Sequence, residues 1–209
     1  MDLRQHARNR LRGFLQAYGT AGLKKRLWDA EFSGGRWNCL DTTSGDCVYP
    51  FVERLAAHRS ILDLGCGSGN TGNELDPDAY RMYVGVDISD VAVERARRRS
   101  QENGRGHQNR FVQSDILDYA PDQRFKVILF RDSIYYIPHR RIPDVLNRYA
   151  KALEETGVFV VRMANGGSKY QPIIDAIESS FEIVAKQVFA NPDAVVMVFR
   201  PAGRYCPMT

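Results

Sequence analysis

The sequence predicts an α/β fold: a seven-stranded, doubly wound, mostly parallel sheet with an antiparallel C-terminal hairpin and an N-terminal helical cap. Three observations support this prediction. From residue 60 onward, short β-rich runs alternate with helical patterns, which is typical of a parallel sheet. The first of these runs ends in closely spaced glycines at positions 65, 67 and 69. The chain later has two β-rich runs joined by a short Asn-Pro-Asp turn, which indicates a hairpin.

The helices are predicted from apolar residues that recur every three or four positions, a spacing that places them on one helical face. The strands are predicted from short β-rich runs bounded by turn residues. In chain order, the predicted elements are helices at 3–18, 23–32 and 47–58, a strand at 60–64, a short helix after 69, a strand at 81–87, a helix at 89–102, a strand at 109–114, a weak helix near 116–120, a strand at 125–131, a helix at 140–154, a strand at 157–163, a helix near 169–180, and strands at 181–189 and 194–200.

Two helices carry signals at their ends. Asp46 is a candidate cap for the helix at 47–58, and Pro50 falls in its first turn, where a missing N–H costs little. Gly157 follows the helix at 140–154 and is expected to mark its end.

A glycine-broken aromatic segment at 32–41 connects the N-terminal helices to the alternating region. Trp37 at its centre fits two roles, a ring on a mobile lid or a ring that packs on the core. We expect one domain over 1–209, with a helical cap or lid at 1–45 and the sheet core at 46–209.

Composition narrows the classes of protein to which the chain belongs. Its 44% hydrophobic and 26% charged residues are ordinary for a soluble globular domain. No apolar run approaches the roughly 20 residues of a membrane helix, and the first residues lack an apolar secretory core. We therefore expect a cytoplasmic protein without a membrane partner. The cysteines show no C-x-x-C spacing, which predicts reduced thiols and no metal site, and they are Cys39, Cys47, Cys66 and Cys206.

The formal net charge is +4, and basic residues cluster at 4–26 and 95–99. Such clusters are either solvated helix faces or a nucleic-acid footprint. Because acidic residues nearly balance the total, we favour solvated faces and do not expect nucleic acid as a partner. The sequence does not indicate an oligomeric state.

The glycine-rich stretch at 63–72 is the centre of the predicted sheet. Glycines tolerate positive φ angles and let a ligand approach the backbone, so the stretch predicts a cradle for a small molecule. Residues 67–72 match G-x-G-x-x-G, and Asp87, about 20 residues on, matches the ribose-binding acid of dinucleotide sites. An NAD-dependent reductase is therefore one interpretation of this stretch.

The wider pattern resembles the class I S-adenosylmethionine-dependent methyltransferase family. Residues 61–69 are similar to its D-x-G-x-G-x-G cofactor motif, and residues 83–89, 111–116 and 125–136 are similar to the three motifs that follow. The resemblance covers residues 60–164 and extends to the terminal hairpin. It implies a Rossmann-like core, S-adenosylmethionine as the cofactor and methyl transfer as the activity.

The resemblance also implies a set of cofactor-binding residues. Asp63 would face the methionine ammonium or cap its strand, and Cys66 would be a small filler rather than a nucleophile. Asp87 would accept hydrogen bonds from the ribose hydroxyls. Asp115 would receive the adenine amino group or cap the turn after its strand. The full set is Asp63, Gly65, Cys66, Gly67, Gly69, Asp87, Ile88, Asp115, Ile116 and Arg131.

The methyl acceptor is expected beyond the fourth and fifth strands, under the N-terminal cap. His139 is the best candidate base, or else a surface histidine before the following helix. Asp132 is a candidate for binding an amine acceptor, and Tyr135 or Tyr136 would face the methyl group while the other packs in the core. We assign catalytic roles to His139, Tyr135 and Asp132, and substrate or lid roles to Trp37, Tyr136 and Asn165.

The fourth strand lacks the Asn/Asp-Pro-Pro-aromatic motif, which is typical of methyltransferases that act on exocyclic amines of nucleic acids. The sequence therefore predicts methyl transfer to an O or N atom of a small molecule. An RNA methyltransferase that uses the basic clusters, and a cofactor-binding module without turnover, are the alternatives.

Overall fold

Seven strands form one sheet in the computed structural model, which describes residues 3–38, 45–164 and 170–203. The strands are β1 (Arg59–Leu64), β2 (Tyr80–Asp87), β3 (Asn109–Gln113), β4 (Phe125–Arg131), β5 (Leu153–Ala164), β6 (Phe181–Ala190) and β7 (Asp193–Pro201). The helices are α1 (Leu3–Tyr18), α2 (Ala21–Ser33), α3 (Tyr49–Ala56), α4 (Asn70–Glu74), α5 (Asp90–Glu102), α6 (Ile142–Ala150) and α7 (Gln171–Ser180).

The strand order is β3-β2-β1-β4-β5-β7-β6. The first five strands in this order pair in parallel, whereas β7 runs antiparallel to both β5 and β6. The predicted fold class is confirmed, including the C-terminal hairpin.

The core has two apolar layers, one on each face of the sheet. Neighbouring residues of a strand point to opposite faces, so Leu62 packs with α6 and α7 while Ile61 packs with α3 and α5. The order of strands reverses between β1 and β4. Sheets of this kind bind ligands at the carboxyl ends of the strands that flank such a reversal.

The predicted helix at 140–154 was too long. Helix α6 ends at Ala150, and Leu153 already pairs with Phe125 of β4. The register then shifts so that Val158 pairs with Val127, and Gly157 lies in this irregular part of β5. A Cβ on Gly157 would lie 2.9 Å from the Phe125 carbonyl oxygen, so this glycine permits a close backbone contact and does not end the helix.

The weak helix predicted near 116–120 was also wrong, because these residues form a turn. The Asp115 carboxylate holds that turn by accepting a hydrogen bond from the Leu117 N–H at 3.0 Å. A side chain that bonds its own backbone competes with helix formation, which explains the difference.

Two α-helices lie over the carboxyl edge of the sheet. Helix α2 begins after Thr20, whose hydroxyl accepts from the Leu23 N–H, and it runs beside α5. The boundary predicted at residue 45 falls next to the segment 39–44, which lies outside the described residues, so the division into cap and core stays a prediction.

Some predictions concern features of the whole chain. In the described ranges, no helix combines the length and the apolar character needed to cross a membrane. Cys47 and Cys66 are free thiols, while Cys39 and Cys206 lie outside the described residues. Across the same described ranges, no group of three or more His, Cys, Asp and Glu side chains is arranged to hold a metal ion.

Candidate active site

A cavity of about 380 Å³ lies at the carboxyl ends of β1 to β5, under α1 and α2. Its wall combines the glycine turn after β1, the ends of β2, β4 and β5, the turn after β3, and side chains of the N-terminal helices. The cavity therefore occupies the position at which the strand order reverses.

The glycine turn forms the floor of the cavity. Gly65 has a φ of +85°, and a Cβ on it would lie 2.4 Å from the Ser133 Cβ. Gly67 has a φ of +53°, and its N–H donates to Asp87 Oδ2 at 2.9 Å. Both glycines line the cavity, as predicted, and a side chain at position 65 would meet the segment after β4.

Two predicted residues of this turn do not line the cavity. A Cβ on Gly69 would lie 2.8 Å from the Ala96 Cβ, so Gly69 allows α5 to pack closely on the turn. Cys66 is buried behind the turn, with its Sγ 2.8 Å from the position of a Cβ on Gly85. Burial raises the pKa of the Cys66 thiol, which fits a filler and not a nucleophile.

Asp87 lies at the end of β2 and connects the turn to the next helix. Its two carboxylate oxygens accept hydrogen bonds from the Gly67 and Ser89 N–H groups, both at 2.9 Å. Burial raises the pKa of Asp87 to about 6, although these hydrogen bonds oppose the shift. A carboxylate has about four lone-pair sites, so Asp87 keeps acceptor capacity for a ligand in the cavity, beside Ile88.

Asp63 does not line the cavity, so its predicted contact with the cofactor stays a prediction. The alternation of β1 places Asp63 on the same face as Ile61, beneath the turn. There the Tyr83 hydroxyl donates to Asp63 Oδ2 at 2.5 Å, and Oδ1 is buried without a hydrogen-bond partner among the described residues. Burial raises the pKa of Asp63 to about 6. Tyr83 was missed because an aromatic residue in a buried strand gives no functional signal.

Asp115 lines the cavity and also holds the turn after β3, so both predicted roles fit. Its other carboxylate oxygen, Oδ2, forms an ion pair with the Lys24 ammonium of α2. The Lys24 and Asp115 side chains are only 8% and 9% exposed. The sequence placed Lys24 in a solvated basic cluster, because nothing local shows that α2 turns this residue inward.

The ends of β4 and β5 carry a buried network of charges. Arg131 Nε donates to Asp46 Oδ2 at 2.9 Å, and Arg162 Nε lies 3.5 Å from Asp46 Oδ1. Burial opposes ionisation of Asp46, but the two arginines and the Val48 N–H hold its pKa below the usual value. Asp46 was predicted as a helix cap. Helix α3 begins later, at Tyr49, and Asp46 instead joins the two strand ends.

Asp132 stands next in this network. Its φ is +55°, an uncommon conformation for a residue with a side chain. Arg162 forms an ion pair with its Oδ2, and the Ala164 N–H donates to its Oδ1 at 2.8 Å. The strained backbone is therefore fixed by β5, with the carboxylate at the wall of the cavity.

Aromatic rings form the end of the cavity beyond Asp132. Tyr135 stacks on Tyr170 with ring centroids 4.9 Å apart, and Tyr136 meets the edge of Trp28 at 4.8 Å. Both tyrosines line the cavity, so neither is simply a core residue. Burial raises the pKa of both phenols, that of Tyr136 to about 12, so both remain protonated at neutral pH.

Glu31 fixes the part of the cap that closes this end. The Trp37 Nε1–H and the Gln16 amide donate to its two carboxylate oxygens at 2.9 and 3.1 Å, and Arg12 Nε lies 3.0 Å away. Trp37 and Gln16 both line the cavity. Sequence reasoning missed Gln16 and Glu31 because their contact joins two helices whose relative position the sequence does not specify.

The predicted base, His139, is not brought to the cavity. His139 is exposed in a short 3-10 turn, His139–Arg141, and does not line the cavity. Ile137 is buried, whereas the chain reaches the surface two residues later at His139, so the predicted base is exposed to solvent. Asn165 lies outside the described residues.

Comparisons with known proteins find a matching family model and several relatives. The model of a family described as a methyltransferase domain matches residues 55–197. A 27-O-demethylrifamycin SV methyltransferase of Amycolatopsis mediterranei is 27% identical over 171 residues, which are 78% of this chain and 61% of that protein. An mRNA cap guanine-N(7) methyltransferase of Schizosaccharomyces pombe is 27% identical over 128 residues, which are 54% of this chain and 36% of that protein.

Among solved structures, the N-methyltransferase NodS of Bradyrhizobium japonicum, in complex with S-adenosyl-L-homocysteine, has a TM-score of 0.60 and 20% sequence identity. The match covers 85% of this chain and 91% of NodS. At this identity the likeness concerns the fold. The curated relatives are longer proteins, of which this chain spans between a third and two thirds.

Proposed function

We propose that this chain, which belongs to the class I S-adenosylmethionine-dependent methyltransferase family, transfers a methyl group to an oxygen or nitrogen atom of a small molecule. S-adenosylmethionine is the cofactor of this family, so the dinucleotide interpretation of the glycine-rich stretch is set aside. The observation that carries the proposal is the convergence of the glycine turn, Asp87 and Asp115 on one cavity under the N-terminal helices.

The residues present fit the cofactor. A side chain at Gly65 would fill the space against Ser133, so the turn leaves its backbone open to the cavity. Asp87 keeps free lone pairs that suit two ribose hydroxyls, and Ile88 and Ile116 offer apolar faces to an adenine ring. When bound, S-adenosylmethionine supplies an electrophilic methyl group on a sulfonium.

Arg131 is proposed to bind the carboxylate of the cofactor. Only its Nε is used by Asp46, and its remaining N–H groups have no hydrogen-bond partner among the described residues. A guanidinium in this position pairs well with a carboxylate, which it contacts with two parallel N–H groups. Asp63 acts from below, where it holds Tyr83 and supports the turn.

The aromatic end of the cavity is proposed to hold the methyl acceptor. Trp28, Trp37 and Tyr136 exclude water and restrict the acceptor to one orientation, which is the main contribution a protein makes to a direct displacement. Tyr135 and Tyr136 stay protonated and therefore donate hydrogen bonds. Asp132 is the carboxylate at this end of the cavity, and we propose that it accepts the proton that the acceptor loses.

A compact acceptor fits this site better than RNA does. Helices α1 and α2 cover the cavity, and three of the four arginines at 95–99 donate hydrogen bonds to other parts of the protein. Arg95 donates to Asn38 Oδ1 at 2.9 Å, Arg97 to the Phe111 carbonyl at 2.8 Å, and Arg99 to the Ser68 carbonyl at 3.0 Å. These contacts support the choice of a small acceptor over RNA, because they leave the three arginines less available to phosphates.

The proposal is tested with the purified chain and S-adenosylmethionine that carries an isotope label in its methyl group. Metabolite extract and total RNA are supplied in separate reactions, with an Asp87→Asn variant as the inactive control. We expect label in a small-molecule fraction and none in RNA. Label in RNA alone would overturn the choice of acceptor. Calorimetric binding of NAD without binding of S-adenosylhomocysteine would overturn the assignment of the cofactor to this chain.

A further inference from the structure

We propose that Lys24 is a latch: its ammonium holds α2 over the cavity by pairing with Asp115, and the adenine amino group of the cofactor replaces it there. The proposal rests on the proposed function, because it takes Asp115 as the group that receives adenine. Its starting point is an ion pair between a cap helix and a carboxylate of the cofactor site.

The two oxygens of Asp115 have different partners. The Leu117 N–H occupies Oδ1, and Lys24 contacts Oδ2. The oxygen that is not used by the turn is therefore the one that a ligand needs, and Lys24 already occupies it. A donor N–H of adenine and the Lys24 ammonium compete for the same acceptor.

Burial makes this ion pair unusual. Both side chains are more than nine-tenths buried, and taking a lysine and a carboxylate out of water costs several kcal/mol per ion before they attract each other. Apolar side chains hold a lid without that penalty. A polar contact is useful where a polar ligand group must exchange with it, since Asp115 Oδ2 then has a hydrogen-bond donor both before and after the exchange.

The remaining contacts of α2 extend the effect along the cavity. Phe32 lies 3.5 Å from the position of a Cβ on Gly67, directly over the glycine turn, and Trp28 meets Tyr136 at the acceptor end. One helix therefore touches the adenine, glycine-turn and acceptor regions. Release of Lys24 by the cofactor would therefore also change the acceptor end of the cavity. We expect the cofactor to bind before the acceptor.

The helix that carries Lys24 lies outside the residues that match the family model. Helix α2 ends at Ser33, whereas the methyltransferase-domain model begins at residue 55. The neighbouring Lys25 offers a matched control, because it lies on the same helix but pairs with Asp29 and Asp90 outside the cavity, at 2.7 and 2.6 Å.

The test compares Lys24→Met with Lys25→Met, using S-adenosylhomocysteine as the ligand in calorimetry and stopped-flow binding. The Met side chain keeps the length and apolar stem of lysine without the charge. We expect Lys24→Met to bind about tenfold more tightly and to associate faster, because no charge-assisted contact has to be exchanged. Lys25→Met should stay within about twofold of the wild type, since its ion pairs lie outside the cavity and partly exposed pairs contribute little.

Weaker binding by Lys24→Met would overturn the latch and make Lys24 a direct contact of the cofactor. Equal binding would also overturn it. If the wild type does not bind S-adenosylhomocysteine, the proposed function itself fails, and the latch falls with it.

A second measurement does not depend on the folding of Lys24→Met. In Asp115→Asn the amide cannot form the ion pair, so hydrogen exchange of the α2 backbone should be faster than in the wild type without ligand. A third measurement introduces Lys24→Met into Asp115→Asn, where it should no longer increase affinity. Unchanged exchange of α2, or a full affinity gain in the double variant, would refute the coupling.

Discussion

The Asp87→Asn substitution separates the effect of this carboxylate on the free energy of unfolding from its effect on cofactor affinity. Burial raises its pKa from the ordinary value of 3.8 to about 6. At pH 7.5 that shift corresponds to about 3 kcal/mol of lost stability, which the variant no longer carries. The Asn amide has one oxygen and so keeps only one of the two bonds from Gly67 and Ser89, which costs about 1–3 kcal/mol. The two effects offset each other, and the free energy of unfolding should change little.

Binding should respond very differently. A hydrogen bond from a ribose hydroxyl to a carboxylate contributes about 1.5–3 kcal/mol, and Asp87 is placed to accept two of them. The variant should therefore bind S-adenosylhomocysteine at least about a hundredfold more weakly. The assays are urea unfolding at pH 7.5 and isothermal titration calorimetry. Asp122→Asn, at an exposed carboxylate paired with Arg110 at 3.6 Å, is the control for both.

The pH dependence of stability gives an independent check of the same reasoning. Because the pKa of Asp87 is higher in the folded than in the unfolded chain, its contribution to stability is full below pH 3.8 and is lost as pH rises to about 6. The wild type should therefore lose more stability between pH 5 and pH 7.5 than Asp87→Asn does. Asp63 has the same sign and remains in both proteins. A variant that unfolds much more easily at pH 7.5 yet keeps its affinity for S-adenosylhomocysteine would refute the whole argument.

Further substitutions test the turn and the acceptor end. Gly65→Ala should abolish binding of S-adenosylhomocysteine. The new Cβ would lie 2.4 Å from the Ser133 Cβ, and residue 65 has a φ of +85°. Retained affinity in calorimetry would contradict this geometry. Tyr136→Phe should raise the KM for the acceptor severalfold and leave the pH–rate profile unchanged, because the pKa of this phenol lies at about 12; a lost basic limb would instead mark it as a titrating group. His139→Ala should keep the wild-type kcat and KM, because the imidazole is exposed outside the cavity, and a loss above tenfold in kcat would restore its role as a base.

The parts of the site that the sequence predicted well are those encoded by neighbouring residues. A strand that ends in glycines can only make a tight turn, and an acid at the end of the next parallel strand must come to the same edge of the sheet. Gly65, Gly67, Asp87 and Asp115 accordingly line one cavity. Local pattern and parallel topology are enough to bring these residues together.

Residues whose roles depend on distant partners were misplaced or missed. Asp46 has the local signal of a cap, but Arg131, 85 positions later in the chain, is its partner. His139 and Asp132 belong to one loop, and only the direction of the chain after Ile137 decides which of them faces the cavity. Lys24 resembles the half-buried Lys25 beside it until the packing of α2 is known. Tertiary contacts decide which of these side chains reach the cavity, and they override the preferences of the local sequence.

This difference explains why the cofactor can be assigned from the family and the acceptor cannot. The cofactor end is built from backbone and short-range motifs within residues 55–197, which the family model matches. The proposed acceptor end takes Gln16, Trp28 and Trp37 from the N-terminal helices and the turn after them, outside that range, and the buried carboxylate of Glu31 holds Gln16 and Trp37. Because a few side-chain contacts determine the shape of that wall, substitutions in the cap alter the acceptor space while the glycine turn keeps its geometry. We therefore expect acceptor preference to follow the cap residues around Glu31, and cofactor affinity to follow the turn and the Lys24 contact.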